Sequence, residues 1–171
     1  DNLTPVTLEL GGKSPAVVSR HYPIADAAKR ITHGKATNAG QICVSPDYAM
    51  VPRESMGAFV EAVQASYAQL FKGSVRDNHD YTWIINDRHL ARIQELLADA
   101  VSKGATVVAC AAYDSAQDRR NMPLHVVTDC THDMRIMQEE IFGPVLPVVS
   151  YDTAQEVIAF INARARPLAL Y

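Results

Sequence analysis

The sequence is poor in the features that mark several protein classes. It has three cysteines in 171 residues, Cys43, Cys110 and Cys130. An odd number at wide spacing makes no disulfide framework, and there is no CxxC pair. The six histidines show no HExxH or other paired spacing, so no metal site is expected. Cysteine used this way fits a reducing compartment, and the cytoplasm is the expected location. No apolar run approaches the roughly 18 residues of a membrane span. The formal net charge is −3, so no basic excess exists to hold a nucleic acid. Internal repeats and low-complexity linkers are lacking too. Asp1-Asn2-Leu3-Thr4-Pro5 has neither the basic start nor the apolar centre of a secretory signal. The chain opens without Met and stops at Leu168-Ala169-Leu170-Tyr171, which reads as a strand just beginning. A piece of a longer protein is expected.

What is present is ordinary globular material, 48% hydrophobic and 20% charged, enough for one domain with a real core. Val6–Leu10 reads as a strand broken by Gly11-Gly12, and Pro15–Val18 as a second. Ile24–Asn38, Glu54–Phe71 and Asp87–Lys103 carry apolar residues at helical spacing. Asn86 is a plausible N-cap for the third helix, and Gly104 stops it. Asp47–Val51, Ala105–Ala109, Leu124–Thr128 and Leu146–Tyr151 read as strands. Asp114–Asn121 reads as a polar loop. Thr153 and Glu156 form a capping box for a last helix to about Ala163. Strands and helices alternating at these lengths predict an α/β domain with a largely parallel sheet.

Three segments stand apart. In VTLELGGKSP, Glu9 lies inside an apolar run and precedes two glycines that permit close backbone approach. It is either a solvent-facing strand carboxylate or a general base at a strand end, where partial burial would raise its pKa. In NAGQICVSPD, Cys43 lies in a loop between a helix and a strand. It is either a small buried cysteine or a nucleophile, given something that favours its thiolate. Cys110 and Cys130 lack such a context. In QEEIFGPVLPVV, Glu139 and Glu140 precede a strand. They are either a charged turn or a carboxylate that grips paired hydroxyls of a ligand, with Phe142 as a flat apolar face beside it.

Taken together and in this order, ELGGKSP, GQxC and EEIFGP resemble the aldehyde dehydrogenase family, from Val6 to Tyr171. SPDY after Cys43 and the terminal PLALY are similar to its class 3 branch. The run Asp80–Ala105 is similar to the bacterial coniferyl aldehyde dehydrogenases. The resemblance implies the three-layer catalytic domain of that fold, with a largely parallel sheet, truncated at both ends. It implies Cys43 as the nucleophile that forms a thiohemiacetal and then a thioester. Glu9 is implied as the base that activates water, and the Cys43 N–H as half of the oxyanion site. Glu140 would bind the ribose of a nicotinamide cofactor, Phe142 would pack near the nicotinamide, and Leu10 and Gly11 would lie near its ring. Ile42 and Ser45 stand where this branch has Thr and Ala, which bears on substrate fit.

The substrate implied is a small aldehyde, of an aromatic, coniferyl type. NAD or NADP is expected in the full-length parent, with no choice between them. The dinucleotide-binding domain is expected to lie outside residues 1–171, so the isolated chain is expected to bind no cofactor and to be inactive as a dehydrogenase. The face and strand edges left open by truncation are expected to make the chain self-associate into homo-oligomers, dimers or larger. A catalytically silent α/β module with at most residual thiol esterase activity is the alternative. A domain using Cys43 only as a redox thiol is a third reading.

Overall fold

The computed structural model describes residues 3–118 and 120–171. Five strands form one sheet: β1 Pro15–Val17, β2 Tyr48–Pro52, β3 Thr106–Ala109, β4 His125–Thr128 and β5 Val145–Tyr151. Their order is β1-β2-β5-β4-β3. The pairs β1–β2, β2–β5 and β5–β4 are parallel, and only β3 runs antiparallel to its neighbour β4. The largely parallel sheet expected from the alternating pattern is therefore present.

Among the described residues six α-helices accompany the sheet: α1 Ile24–Ala36, α2 Met56–Leu70, α3 Asp87–Ser102, α4 Ser115–Asp118, α5 Arg135–Gln138 and α6 Ala154–Asn162. Alternation along each strand divides the apolar residues into two cores, one per face of the sheet. Ala49 and Val51 of β2, with Leu146 and Val148 of β5, join Phe59, Val63 and Tyr67 of α2 in one cluster. Tyr48 and Met50, with Val145, join Ile93, Leu96 and Ala100 of α3 in the other. Three layers result, as two-sided burial of a parallel sheet demands. Two helix starts follow their caps. The Asn86 side chain accepts from His89 N at 2.8 Å. The Thr153 hydroxyl accepts from Glu156 N at 3.2 Å, and the Glu156 carboxylate accepts from Asp152 N rather than from the cap's own amide.

The structure corrects several element boundaries. Val6–Leu10 is not a strand: residues 3–14 carry no regular structure, and Leu8, Glu9 and Leu10 all face solvent. A strand needs a neighbour to take up its N–H and C=O groups, and among the described residues none lies beside this run. α1 ends at Ala36 rather than Asn38, because Asn38 and Ala39 take φ of 51° each. Residues 114–118 contain the short α4, where a loop was expected, and α5 was not expected at all. Four residues are too few to show a helical period. Tyr171 begins a pairing with the outer edge of β1, through Val17 N to Tyr171 O at 2.7 Å and Tyr171 N to Pro15 O at 3.0 Å.

One consequence of the topology outweighs the rest. The segment with Glu9 and Gly11 leads into β1, the Cys43 loop leads into β2, and the Glu139–Pro144 turn leads into β5. These three strands are adjacent and parallel. Segments more than a hundred residues apart in sequence therefore reach one edge of the sheet, the end at which the strands begin.

Candidate active site

Cys43 sits in a loop whose shape is fixed from both sides. After α1 the chain makes a tight turn over Thr37–Gly40, with Asn38 and Ala39 left-handed. Asparagine tolerates that region; alanine enters it at a cost and persists where surrounding contacts over-determine it. Asn38 Nδ2 donates to Gln41 O at 3.0 Å, and Gln41 Nε2 donates back to Asn38 O at 3.1 Å. The same Gln41 amide reaches the far side of the site, donating to Trp83 O and accepting from Ile85 N. Gly40, at φ +72°, packs against the Gly143 carbonyl so closely that a Cβ there would collide with it. Beyond it, Ser45 N closes a turn onto Ile42 O at 2.9 Å, and the Tyr171 hydroxyl donates to Val44 O at 2.6 Å. Cys43 lies half-buried at the head of this turn.

The other two thiols differ. Burial pushes both Cys110 and Cys130 up to about 12, which leaves them inert as nucleophiles at ordinary pH. A cleft of about 470 Å³ opens beside the Cys43 loop, lined by Ile42, Val44, Pro46, Tyr171 and Arg30 among others, and it is largely apolar.

A polar knot ties the three motif segments together. Asp47, four residues after Cys43, is buried. Lys13, from the glycine-rich segment, meets its carboxylate at 2.5 Å. Lys13 also donates to Ile136 O at 2.8 Å and to Glu139 O at 3.0 Å. The second Asp47 oxygen accepts from Ile141 N at 3.1 Å, and Asp47 N donates to Ser14 O at 2.7 Å. One carboxylate thus holds the starts of β1, β2 and β5 in register. Lys35 of α1 completes the knot from beneath, fully buried, with its amine 3.9 Å from Asp47 and no hydrogen-bond partner. Burial pulls its pKa down to about 8, against the pull of Asp47. Neither Lys13, Lys35 nor Asp47 was singled out from the sequence. The available signal for Lys13 and Asp47 was their place inside the motifs, a lysine after the paired glycines and an aspartate after Ser-Pro; Lys35 lies in α1, outside them.

Glu140 lies against Gly11, where any Cβ would run into both carboxylate oxygens. Phe142 takes φ +53° and keeps its ring partly exposed. The structure thus brings Glu140 and Gly11 into contact and sets Cys43 and Phe142 on the same edge. It does not join Glu9 or Leu10 to the thiol: both are exposed, and no hydrogen bond or ion pair links Glu9 to Cys43. Among the described residues no three His, Cys, Asp or Glu side chains converge as metal ligands, and no helix is long and apolar enough to cross a membrane.

Comparison with known proteins gives a consistent result. The model of the aldehyde dehydrogenase family matches residues 1–170. A probable coniferyl aldehyde dehydrogenase of Caulobacter vibrioides is 49% identical, over 100% of this chain and 36% of the relative. The substrate-bound structure of Staphylococcus aureus AldH superposes with a TM-score of 0.89 at 39% identity, over 99% of this chain and 36% of that one. An NADP-dependent glyceraldehyde-3-phosphate dehydrogenase of Bacillus halodurans, solved with NADP, superposes with a TM-score of 0.83 at 32% identity, covering 95% of this chain and 33% of that one. The chain spans about a third of the length of the relatives it matches.

Proposed function

Because the chain belongs to the aldehyde dehydrogenase family, we propose that it is the thiol-bearing part of an enzyme that oxidises an aldehyde to a carboxylic acid with NAD or NADP. The observation that supports this best is the convergence of three separate motif segments at one sheet edge, locked by the buried Asp47. A structural cysteine needs no such frame. Cys43 is a half-buried thiol in a loop, while burial raises Cys110 and Cys130 out of reach.

The residues present fit the nicotinamide half of a dinucleotide. Gly11 leaves room at the Glu140 carboxylate that no larger residue would leave, and a carboxylate so presented can accept from paired ribose hydroxyls. Phe142 offers a partly exposed ring two residues further on. Leu10 and Gly11 supply backbone beside them. When bound, the dinucleotide supplies the hydride acceptor. The chain's own part is the rest of the chemistry. The Cys43 thiolate adds to the aldehyde carbonyl, and the Cys43 N–H, fixed by the Ile42–Ser45 turn, faces the oxygen that gains charge. After oxidation the carbonyl carbon is held as a thioester on Sγ. Glu9 takes a proton from water, whose oxygen attacks that carbon; the C–S bond breaks, and the acid leaves with the thiolate restored.

Glu9 is exposed in the isolated chain; its approach to Cys43 belongs to the complete enzyme, in which the run 3–11 gains a neighbour. The dinucleotide-binding domain belongs to that remainder, and residues 1–171 form the catalytic fragment. The apolar cleft beside Ile42 and Val44 favours a hydrophobic aldehyde, and the likeness to a coniferyl aldehyde dehydrogenase points to an aromatic one. The exposed apolar run Leu3, Val6, Leu8 and Leu10 favours self-association of the isolated chain. The test is direct. Full-length enzyme should reduce NAD⁺ or NADP⁺ with coniferaldehyde, and Cys43→Ala should lower this by at least about 10³-fold. Turnover retained in that variant would remove the assignment of Cys43.

A further inference from the structure

The Glu139–Gly143 turn is shaped by a helix that contributes nothing to the three motifs. His89 and Arg92 lie three apart on α3, so they share a face. His89 Nε2 lies 2.7 Å from Phe142 O. Arg92 Nη1 donates to Glu140 O at 3.2 Å, and Arg92 Nη2 donates to Ile141 O. Three consecutive carbonyls thus face one helix and are satisfied by two side chains. Arg92 Nη1 also meets the Glu139 carboxylate at 3.3 Å. From the opposite side Asp47 accepts from Ile141 N. Beneath the turn, Ile93 occupies the space a side chain at residue 143 would need.

This clamp explains a strained residue. Phe142 holds φ +53°, a region bulky residues enter only when their surroundings over-determine it. Without the clamp, the turn would relax towards ordinary backbone angles, moving both the Phe142 ring and the Glu140 carboxylate. His89 is suited to the task because its two ring nitrogens face different partners. Its Nε2–H donates to Phe142 O, while Nδ1 faces Arg92 Nε at 3.5 Å, so the tautomer follows from the network. The Asn86 cap fixes His89 in turn, through the His89 N–H.

We propose that His89 and Arg92 are positioning residues for the Glu139–Gly143 turn, and through it for the nicotinamide half of the dinucleotide. The proposal rests on the reading of Glu140 and Phe142 given above. Two measurements separate the two. Hydrogen exchange at the amides of 139–143 reports the clamp itself. The KM for NAD⁺ in the full-length enzyme reports its consequence. His89→Ala and Arg92→Ala should speed exchange in this turn and raise KM about tenfold, with unchanged exchange in β2 and β5. His89→Gln, whose amide N–H can still donate to Phe142 O, should restore both to within about twofold. If Arg92→Ala does not fold, the His89→Ala and His89→Gln pair carries the test. Unchanged exchange in the turn would overturn the proposal. So would a raised KM in Glu140→Gln beside a normal KM in the His89 and Arg92 variants, which leaves the Glu140 reading intact. No effect of Glu140→Gln would remove that reading, and the ligand half of the proposal with it.

Discussion

A single lysine shows how tightly the site is drawn. Lys35 is fully buried with no hydrogen-bond partner, an arrangement that costs stability unless the amine is neutral. Its pKa falls from 10.5 to about 8, chiefly through burial. The unfolded chain keeps the ordinary value. Below about pH 8 both states carry the proton. Between pH 8 and 10.5 the unfolded state holds a proton the folded state has lost, so stability rises with pH across that window. Lys35→Met should flatten this rise and stabilise the neutral-pH protein by about 1–3 kcal/mol, since Asp47 keeps Lys13 and the Ile141 amide. Urea denaturation of both proteins at pH 7 and pH 9.5 checks it. A fall in neutral-pH stability on substitution would mean that the Asp47 pair outweighs the burial. The place of Cys43, in a loop between a helix and a strand, was legible in the residues around it. The Asp47 knot was not, because its partners lie 34 and 94 positions apart, and no local pattern reports such a pairing.

At the scale of elements, the long helices were legible because their apolar residues repeat over three turns or more, and Asn86 and Thr153 cap as their types suggest. The strand at Val6–Leu10 was misread for a physical reason. Alternation and β-prone residues describe a run suited to a sheet, but the sheet must offer it a neighbour, and the described residues do not. The start of β2 depends instead on close backbone contact. Gly40 combines φ +72° with a Cα lodged against the Gly143 carbonyl. Gly40→Ala adds both a strained dihedral and a collision with rigid backbone. It should destabilise the protein by about 2–4 kcal/mol and part the Cys43 loop from the 139–143 turn. Thermal unfolding measures the first, and exchange at the Gly143 region the second. A variant as stable as the parent sequence would show that these turns are not packed as described.

The whole molecule is a three-layer α/β unit whose order β1-β2-β5 assembles the site. Which side of the sheet would carry chemistry was not legible. The strand order is a long-range property, and in open parallel sheets ligands more commonly lie at the strands' carboxyl ends. Here the motif segments gather at the opposite end. The chain covers 36% of a relative such as the Caulobacter protein, and on the proposed reading it presents one wall of a dinucleotide cleft. Isothermal titration of NAD⁺ into the 171-residue chain should give no binding tighter than about 1 mM, since on that reading the other wall and its pre-organisation lie outside this chain. Micromolar binding would show that the wall with Glu140 and Phe142 suffices alone.

The proposed division of labour between Cys43 and Glu9 can be observed by mass spectrometry. Full-length Glu9→Gln enzyme, mixed with coniferaldehyde and NAD⁺ and quenched in acid, should carry one acyl group on the Cys43 peptide, after a burst of NADH close to one per active site. Cys43→Ala should show neither burst nor adduct. A Glu9→Gln enzyme that turns over at the normal rate, or an adduct found on Cys110 or Cys130 instead, would contradict the account.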